Sequence, residues 1–593
     1  MINEVARRLS SAEIVVVDVE TNGLDWRHNY IVGWVFTFGP QPDETFYLPV
    51  RHETGLNLDP VRVNDMIKSS QLASRRWVGH NLSFDLGFIA KEGITLTGAF
   101  EDTMINECLL NEFESSYSLA ACADRCGVQA KKADEILNHV ASVFGGEAHK
   151  NRMGEFWRLD AEDTMAVEYA KGDGTTTWQL WDVQQNRLDI QDLRKVWSVE
   201  CALIPVLSRM TQRGIRVDGD KLNRIRERVE KDLIEYKSLI GEEVNPRSSK
   251  QMTAFFTKHG VTDWPTTAKG NPSFTEEWLV TSEVGRKFVR VRQYSNLLNS
   301  FITPMIERHL YNGRVHTQFN QLKSDDYGTV TGRLSSSNPN LQQVPKRNTE
   351  LGVMFRSIFV PDDGMVWGSA DYSQCEPRLL AYYSGCRVLI DGYNANPPVD
   401  AHTSVAQSAG IDRQSGKRLN QALLTGAGIK KATAMLGKPQ KEAESIVHRY
   451  FEVMPEIKTL QFAAAEKMKK YGFVRSILNR RARIESPGYE YKAVNRLLQC
   501  SNADMIKQSM VLIDDYCRAE GGINMINNVH DSIDFQYEPG KRAAYDESLK
   551  IMCDFPIIDV VPIEVEEDSG YNWSIASYGE DTYNKVMKEK DLL

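Results

Sequence analysis

The chain has 593 residues, enough for about three to five domains, with 41% hydrophobic and 25% charged residues and a formal net charge of −9. No apolar run approaches the ~18–20 residues of a membrane span, and the run Glu13–Val19 is too short and too acidic for a signal peptide. Nine cysteines are present, but the nearest pair, Cys122 and Cys126, has no second Cys or His pair at finger spacing, so reduced thiols in a cytoplasmic protein are expected.

In chain order, Ile14–Val17 is a β-branched run that reads as a buried strand. It ends in Asp18-Val19-Glu20, and residues two apart on a strand share a face, so two carboxylates stand side by side. Val78–Phe88 follows, with Asp85 in an amphipathic helical piece that opens near Asn81. Tyr169 and Asp173 are four apart, one helical turn, and share a helix face. Carboxylates held together repel unless a cation lies between them.

The order D-x-E, N-x3-D, Y-x3-D resembles the DEDDy 3′–5′ exonucleases, which have a ribonuclease H-like fold. The resemblance implies that Asp18, Glu20, Asp85 and Asp173 hold two divalent metals and that Tyr169 orients the attacking water. Asp102 matches a position in that family that is not a ligand.

Residues 191–320 carry long amphipathic patterns. Val199–Met210 has helical apolar spacing, 218–240 is rich in charge and helix formers, and Pro246–Lys250 is a loop with an N-cap signal. Thr266–Pro272 is a polar loop whose Lys269 could touch a phosphate.

Further on, Thr331–Pro345 (TGRLSSSNPNLQQVP) reads as a polar loop with Arg333 as its one strong donor. Val366–Arg378 (VWGSADYSQCEPR) reads as a strand ending in Asp371, with Glu376 and Arg378 beyond it, and Asn528–Asp531 (NVHD) ends a second strand about 160 residues later. Two carboxylates brought together from distant strands make a site for two cations that can hold a phosphoryl group in line. Basic clusters at Lys346-Arg347, Lys430-Lys431, Lys467-Lys469-Lys470 with Arg475, and Arg480-Arg481-Arg483 each read alone as a solvated helix face, but their concentration in this half shifts the expectation towards a phosphate track.

TGRLSSSNPNLQQVP and DYSQ-x-E-x-R closely resemble signatures of the family A DNA polymerases. His530-Asp531 resembles that family's motif C, and Gly570–Trp573 its final palm strand. The resemblance implies an α/β (α+β) architecture: an exonuclease domain (1–190) followed by a right-hand polymerase of thumb (191–320), palm (321–385 and 501–593) and fingers (386–500). No room is left for the 5′-nuclease domain of some bacterial members, and the layout is similar to the bacteriophage enzymes.

By the same resemblance Asp371 and Asp531 ligate two metals, Mg2+ with Mn2+ fitting the same oxygens. Glu376 excludes a 2′-hydroxyl, and Gln374 and His402 lie near the nucleotide. Arg333, Asn495, Gln499 and His530 contact the primer–template, where minor-groove acceptors recur in every correct pair. Where the family has Arg, Lys, an aromatic and Tyr at four-residue steps, this chain has Arg413, Lys417, Gln421 and Thr425. Both cations are kept for the triphosphate and both aromatics are lost. Cys375 replaces an aliphatic residue, Pro377 suits only a first helical turn, and Ser532 replaces a Glu, with Asp534 as an alternative ligand.

The implied partners are primer–template DNA, dNTPs and replisome proteins such as a helicase–primase and a single-strand-binding protein. A monomer is expected, without membrane association. The alternative to a proofreading polymerase is an exonuclease whose C-terminal half serves only as a DNA-binding platform.

Overall fold

The computed structural model describes residues 1–130, 133–241, 243–267, 269–424, 436 and 438–593. Thr425 and the Lys430-Lys431 pair lie outside the described residues, and the Gln421 side chain is likewise not described.

The first 190 residues build a five-stranded sheet in the order β3-β2-β1-β4-β5. Its strands are β1 (Ile14–Thr21), β2 (Ile31–Thr37), β3 (Thr45–Pro49), β4 (Arg76–Gly79) and β5 (Ala99–Asp102). β1, β2 and β3 pair antiparallel through short connections; β1, β4 and β5 pair parallel. Parallel neighbours need crossovers, which Pro60–Ser69 and Leu82–Lys91 supply as helices. Every residue of β2 is buried, as expected for a strand covered on both faces, and the long Thr164–Ile190 helix packs across β1, β2 and β3. Asp102 caps the next helix through Met104 N (2.8 Å) and also accepts from Leu82 N (2.6 Å). It therefore fastens the start of two helices, which fits its exclusion from the ligand set.

The Arg194–Arg213 helix leads into a second sheet, ordered β11-β6-β8-β7, of β6 (Ile215–Val217), β7 (Leu310–Tyr311), β8 (Arg314–Val315) and β11 (Phe359–Val360). Between β6 and β7 lie mainly helices, one N-capped by Ser248 as the Pro246–Lys250 pattern predicts. The polar stretch from Thr331 is not wholly loop. β9 (Gln318–Asn320) recruits β10 (Ser335–Ser337) as an antiparallel partner, and Leu341–Gln343 forms a 3-10 turn. Three serines carry no strand pattern, so pairing supplied from outside the segment decides the outcome.

The central sheet, ordered β15-β16-β12-β17, is antiparallel throughout. It comprises β12 (Val366–Tyr372), β15 (Ile523–Val529), β16 (Ser532–Tyr537) and β17 (Val565–Gly570). β17 thus ends where the Gly570–Trp573 signature begins. Trp573 instead stacks on Trp367, ring centroids 5.9 Å apart, and both are buried. The Ala493–Glu520 helix packs against β15, against the Arg194–Arg213 helix and against the hairpin of β13 (Phe473–Arg475) and β14 (Arg481–Arg483).

The basic cluster on that hairpin does not form the expected phosphate track. Arg483 pairs with Glu112 at 2.5 Å, and Arg475 donates to the carbonyls of Gln191 and Asp192. Arg480 is buried between Glu200 and Asp504. Arg483 thus ties the hairpin to the N-terminal sheet domain, and Arg475 and Arg480 tie it to the chain that follows that domain, at Gln191, Asp192 and Glu200. Among the described residues no helix is long and apolar enough to cross a membrane.

Candidate active sites

The N-terminal site gathers the five residues expected from spacing. β1 carries Asp18 and Glu20, the Leu82–Lys91 helix carries Asp85, and the Thr164–Ile190 helix carries Tyr169 and Asp173. Asp85 is 2% exposed and accepts from Val19 N at 3.0 Å. Burial, with the Asp18 charge, pushes the Asp85 carboxyl well above the carboxylate range. Asp85 and Asp18 share a hydrogen bond, and burial lifts the Asp18 carboxyl to about 6. Burial and the charges of Asp173, Glu20 and Asp18 raise the Tyr169 phenol, which hydrogen-bonds Asp173.

Two residues of this site have no motif in the sequence. Tyr47, on β3, feels the Glu20 and Asp18 charges, and its hydroxyl meets His52 Nε2 at 2.6 Å. The other His52 nitrogen is held by Leu159 O at 2.8 Å. Phe156 packs between the His52 and Tyr169 rings. Gly33 on β2 pairs in register with Glu20, and a Cβ there would meet the Tyr47 ring and hydroxyl, so the missing side chain leaves the room that Tyr47 fills.

The second site lies on the central sheet. Asp371 ends β12 and pairs in register with Ser532 on one side and Glu566 on the other. Asp531 is in the turn before β16, its carbonyl accepting from Tyr372 N at 3.2 Å, so the two carboxylates come from adjacent strand ends. A cavity of about 430 Å³ is lined by both, together with His530, Ser532, Lys346 and Glu566. Burial lifts the Asp371 carboxyl to about 6, with Asp531 and Glu566 adding to the shift and Lys346 opposing it. Glu566 was not foreseen, although the alternation along Val565-Glu566-Glu567-Asp568 places Glu566 and Asp568 on one face.

Asp531 Oδ1 accepts from Asn502 Nδ2 at 2.8 Å. Arg333 approaches it at 3.7 Å but is committed to Glu376 at 2.5 Å. Burial raises the Glu376 carboxyl and Arg333 opposes the rise. His530 has φ 57° in the tight turn, and burial, then Arg333, lowers its pKa. Asp534 lies one step farther along the same face of β16, 1% exposed and bonded to Trp367 Nε1 and Asn527. Ser532 donates to Val529 O.

Gln374 begins the Cys375–Ser384 helix, which takes Cys375 into the core and Pro377 into its first turn. Its Oε1 accepts from Ala401 N and Tyr393 OH, both at 3.3 Å, which places it beside His402 on the Ala401–Ala409 helix. The Arg413–Leu424 helix packs on that helix. Arg413 pairs with Asp400 at 3.1 Å. Burial depresses His402, and Lys417 and Arg413 depress it further, so Gln374, His402, Arg413 and Lys417 form one group. Asn495 and Gln499 are half-buried on the Ala493–Glu520 helix, two turns and one turn before Asn502 respectively.

Among the described residues no three His, Cys, Asp or Glu side chains form a ready cation cage. The donors nonetheless suit a hard divalent cation. All are carboxylate oxygens, and in each site burial raises the pKa of an acid, with a neighbouring acid's charge adding to the rise at Asp85 and Asp371.

Residues 219–575 match DNA polymerase family A, and residues 1–189 match a 3′-5′ exonuclease family. The DNA-directed DNA polymerase of Pseudomonas phage M6 is 30% identical, over 95% of this chain and 94% of its own length. DNA polymerase DpoZ of Salmonella phage PMBT28 is 29% identical, over 88% and 90%. DNA polymerase I of Pseudomonas aeruginosa is 27% identical over 96% of this chain and 64% of its own length. The POL domain of Pol1 from M. smegmatis, solved with primer-template and dNTP, shares the fold with a TM-score of 0.80 at 21% identity, covering 97% of this chain and 99% of that one. With an exonuclease fold ahead of a right-hand polymerase, and relatives among phage enzymes, the chain belongs to family A of the DNA polymerases and carries a 3′–5′ exonuclease domain.

Proposed function

We propose that Asp371 and Asp531 are the acids that extend a DNA primer from dNTPs on a template, and that Asp18, Glu20, Asp85, Asp173 and Tyr169 remove its 3′ nucleotide. The carrying observation is the pair of carboxylates delivered by β12 and the β15–β16 turn into one cavity beside Arg333 and Glu376. When bound there, a pair of divalent cations, Mg2+ or Mn2+, supplies the positive charge that activates a nucleophile and stabilises the leaving oxygen.

The protein supplies position. Asp371 and Asp531 hold the cations, as Asp18, Glu20, Asp85 and Asp173 do in the other site. Tyr169, anchored on Asp173, orients the water of hydrolysis. Glu376, pinned by Arg333, stands where a ribose 2′-hydroxyl would need room, while Gln374 and His402 frame the nucleotide. Arg413 and Lys417, one turn apart, neutralise the triphosphate: a fork and a point charge. Arg333, Asn495, Gln499 and His530 offer donors to minor-groove acceptors, a check on pair shape that does not read sequence.

The test is extension of a labelled primer–template with Mg2+ and four dNTPs, in an Asp18→Ala, Glu20→Ala background that silences digestion. Full extension is expected, and Asp371→Ala should abolish it while single-strand digestion survives in the Asp371→Ala protein with its exonuclease intact. Undiminished extension by Asp371→Ala would overturn the assignment.

A further inference from the structure

Asp531 stands in a tight turn, and among the described residues its carboxylate has one close side-chain donor, Asn502 Nδ2 at 2.8 Å. Arg333, a nearby cation, is 3.7 Å away and engaged by Glu376. Neither following acid-or-hydroxyl position helps: Ser532 is turned to Val529 O, and Asp534, farther along the strand, is engaged by Asn527 and Trp367.

Asn502 is 1% exposed, and its Oδ1 is buried with no hydrogen-bond partner. An orphaned buried carbonyl oxygen costs stability. Turning the amide over would not relieve it, because oxygen would then face the Asp531 oxygen at 2.8 Å, two acceptors in contact. The donor therefore has one usable orientation, and the residue serves Asp531 at the expense of its own second group.

Its support is rigid. Asn502 lies about a third of the way along the 28-residue Ala493–Glu520 helix, well inside its ends. The adjacent Ser501 is held by Tyr383 OH at 2.7 Å and Ile477 N at 3.2 Å, and Asp504 by Arg480 at 2.7 Å. A hydrogen bond from a rigid element fixes one oxygen of a ligating carboxylate and leaves the other to the cation.

We propose that Asn502 is a positioning residue of the polymerase site: it orients Asp531 for cation binding and so sets the metal requirement of extension. The inference rests on the assignment of Asp531 above, and its test separates the two. Asn502→Ala and Asn502→Leu remove the donor, the second while retaining bulk.

In both variants the Mg2+ concentration for half-maximal primer extension should rise about tenfold or more, the range found when a ligand's hydrogen-bond partner is lost. The fall should lie in kcat, with KM for dNTP within twofold. Mn2+ binding followed by electron paramagnetic resonance in the Asp18→Ala, Glu20→Ala background, which removes two of the four exonuclease carboxylates, should weaken in parallel. Single-strand digestion by Asn502→Ala with an intact exonuclease site should be unchanged, which excludes general misfolding. A metal midpoint and Mn2+ affinity within twofold of the parent in both variants would overturn the proposal, as would equal losses of extension and digestion. A parent protein that extends no primer would instead overturn the assignment of Asp371 and Asp531.

Discussion

Replacing Glu200 by Ala should destabilise the polymerase half more than any single surface change. Glu200 is 0% exposed, as is Lys507, whose Nζ sits 2.8 and 3.0 Å from the two Glu200 oxygens. Arg480 contacts Glu200 and also Asp504, the latter at 2.7 Å. Loss of a hydrogen bond alone would cost about 0.5–1.5 kcal/mol. The substitution does more, because it leaves the Lys507 ammonium fully buried with only the Gln321 carbonyl at 2.8 Å. Stranding a buried charge costs ~3–5 kcal/mol, so desolvation dominates. Urea unfolding followed by circular dichroism should show that loss as a lowered midpoint with an unchanged slope. The double variant Glu200→Gln, Lys507→Met leaves Arg480 with Asp504 and strands nothing, so it should recover about 2 kcal/mol or more relative to the sum of its singles. Burial pushes the Glu200 carboxyl up, but Lys507 and Arg480 outweigh it and hold the folded pKa below the ordinary 4.5. That stabilisation is fully present above the unfolded pKa and is lost as pH falls through the depressed folded value. A Glu200→Ala cost under about 1 kcal/mol, or strict additivity in the double variant, would refute the reasoning.

Other consequences are open to direct measurement. In Gly33→Ala the new Cβ would clash with the Tyr47 ring and hydroxyl; displacing Tyr47 from beside Glu20 should cut single-strand digestion by up to about a hundredfold and leave primer extension intact. Arg333→Ala frees Glu376 and removes a charge-assisted bond worth about 1.5–3 kcal/mol, so single-nucleotide incorporation should slow and the preference for dNTP over rNTP should shrink. Since the Asp18 carboxyl is lifted to about 6, protons should compete with the cation below that pH. Digestion rates measured from pH 5 to 8 should show a metal midpoint rising as pH falls, and a midpoint flat across that range would contradict the assignment of Asp18 as a ligand.

The difference between what was legible in the chain and what was not follows the range of the interaction. Asp18 with Glu20 and Tyr169 with Asp173 are pairs within one element, so strand and helix periods alone place them on shared faces. Asp371 and Asp531 were legible as strand ends because each sits at the close of an apolar run, and the sheet then makes neighbours of them. Arg480, Arg483 and Arg475 read as a basic cluster because sequence counts their charges and not their partners, which lie about 280 to 370 residues away at Glu200, Glu112 and Asp192. Asn502 had no signal at all. An Asn in the middle of a helix is a mild liability to helix formation and nothing more; its meaning depends on a turn 29 residues on that the sheet swings beneath the helix. Glu566 and Tyr47 are the same case on strands. The acids that carry charge into these sites announce themselves by pattern, whereas the groups that aim those acids exist only through the fold, and variants at Asn502 and Gly33 probe that second class.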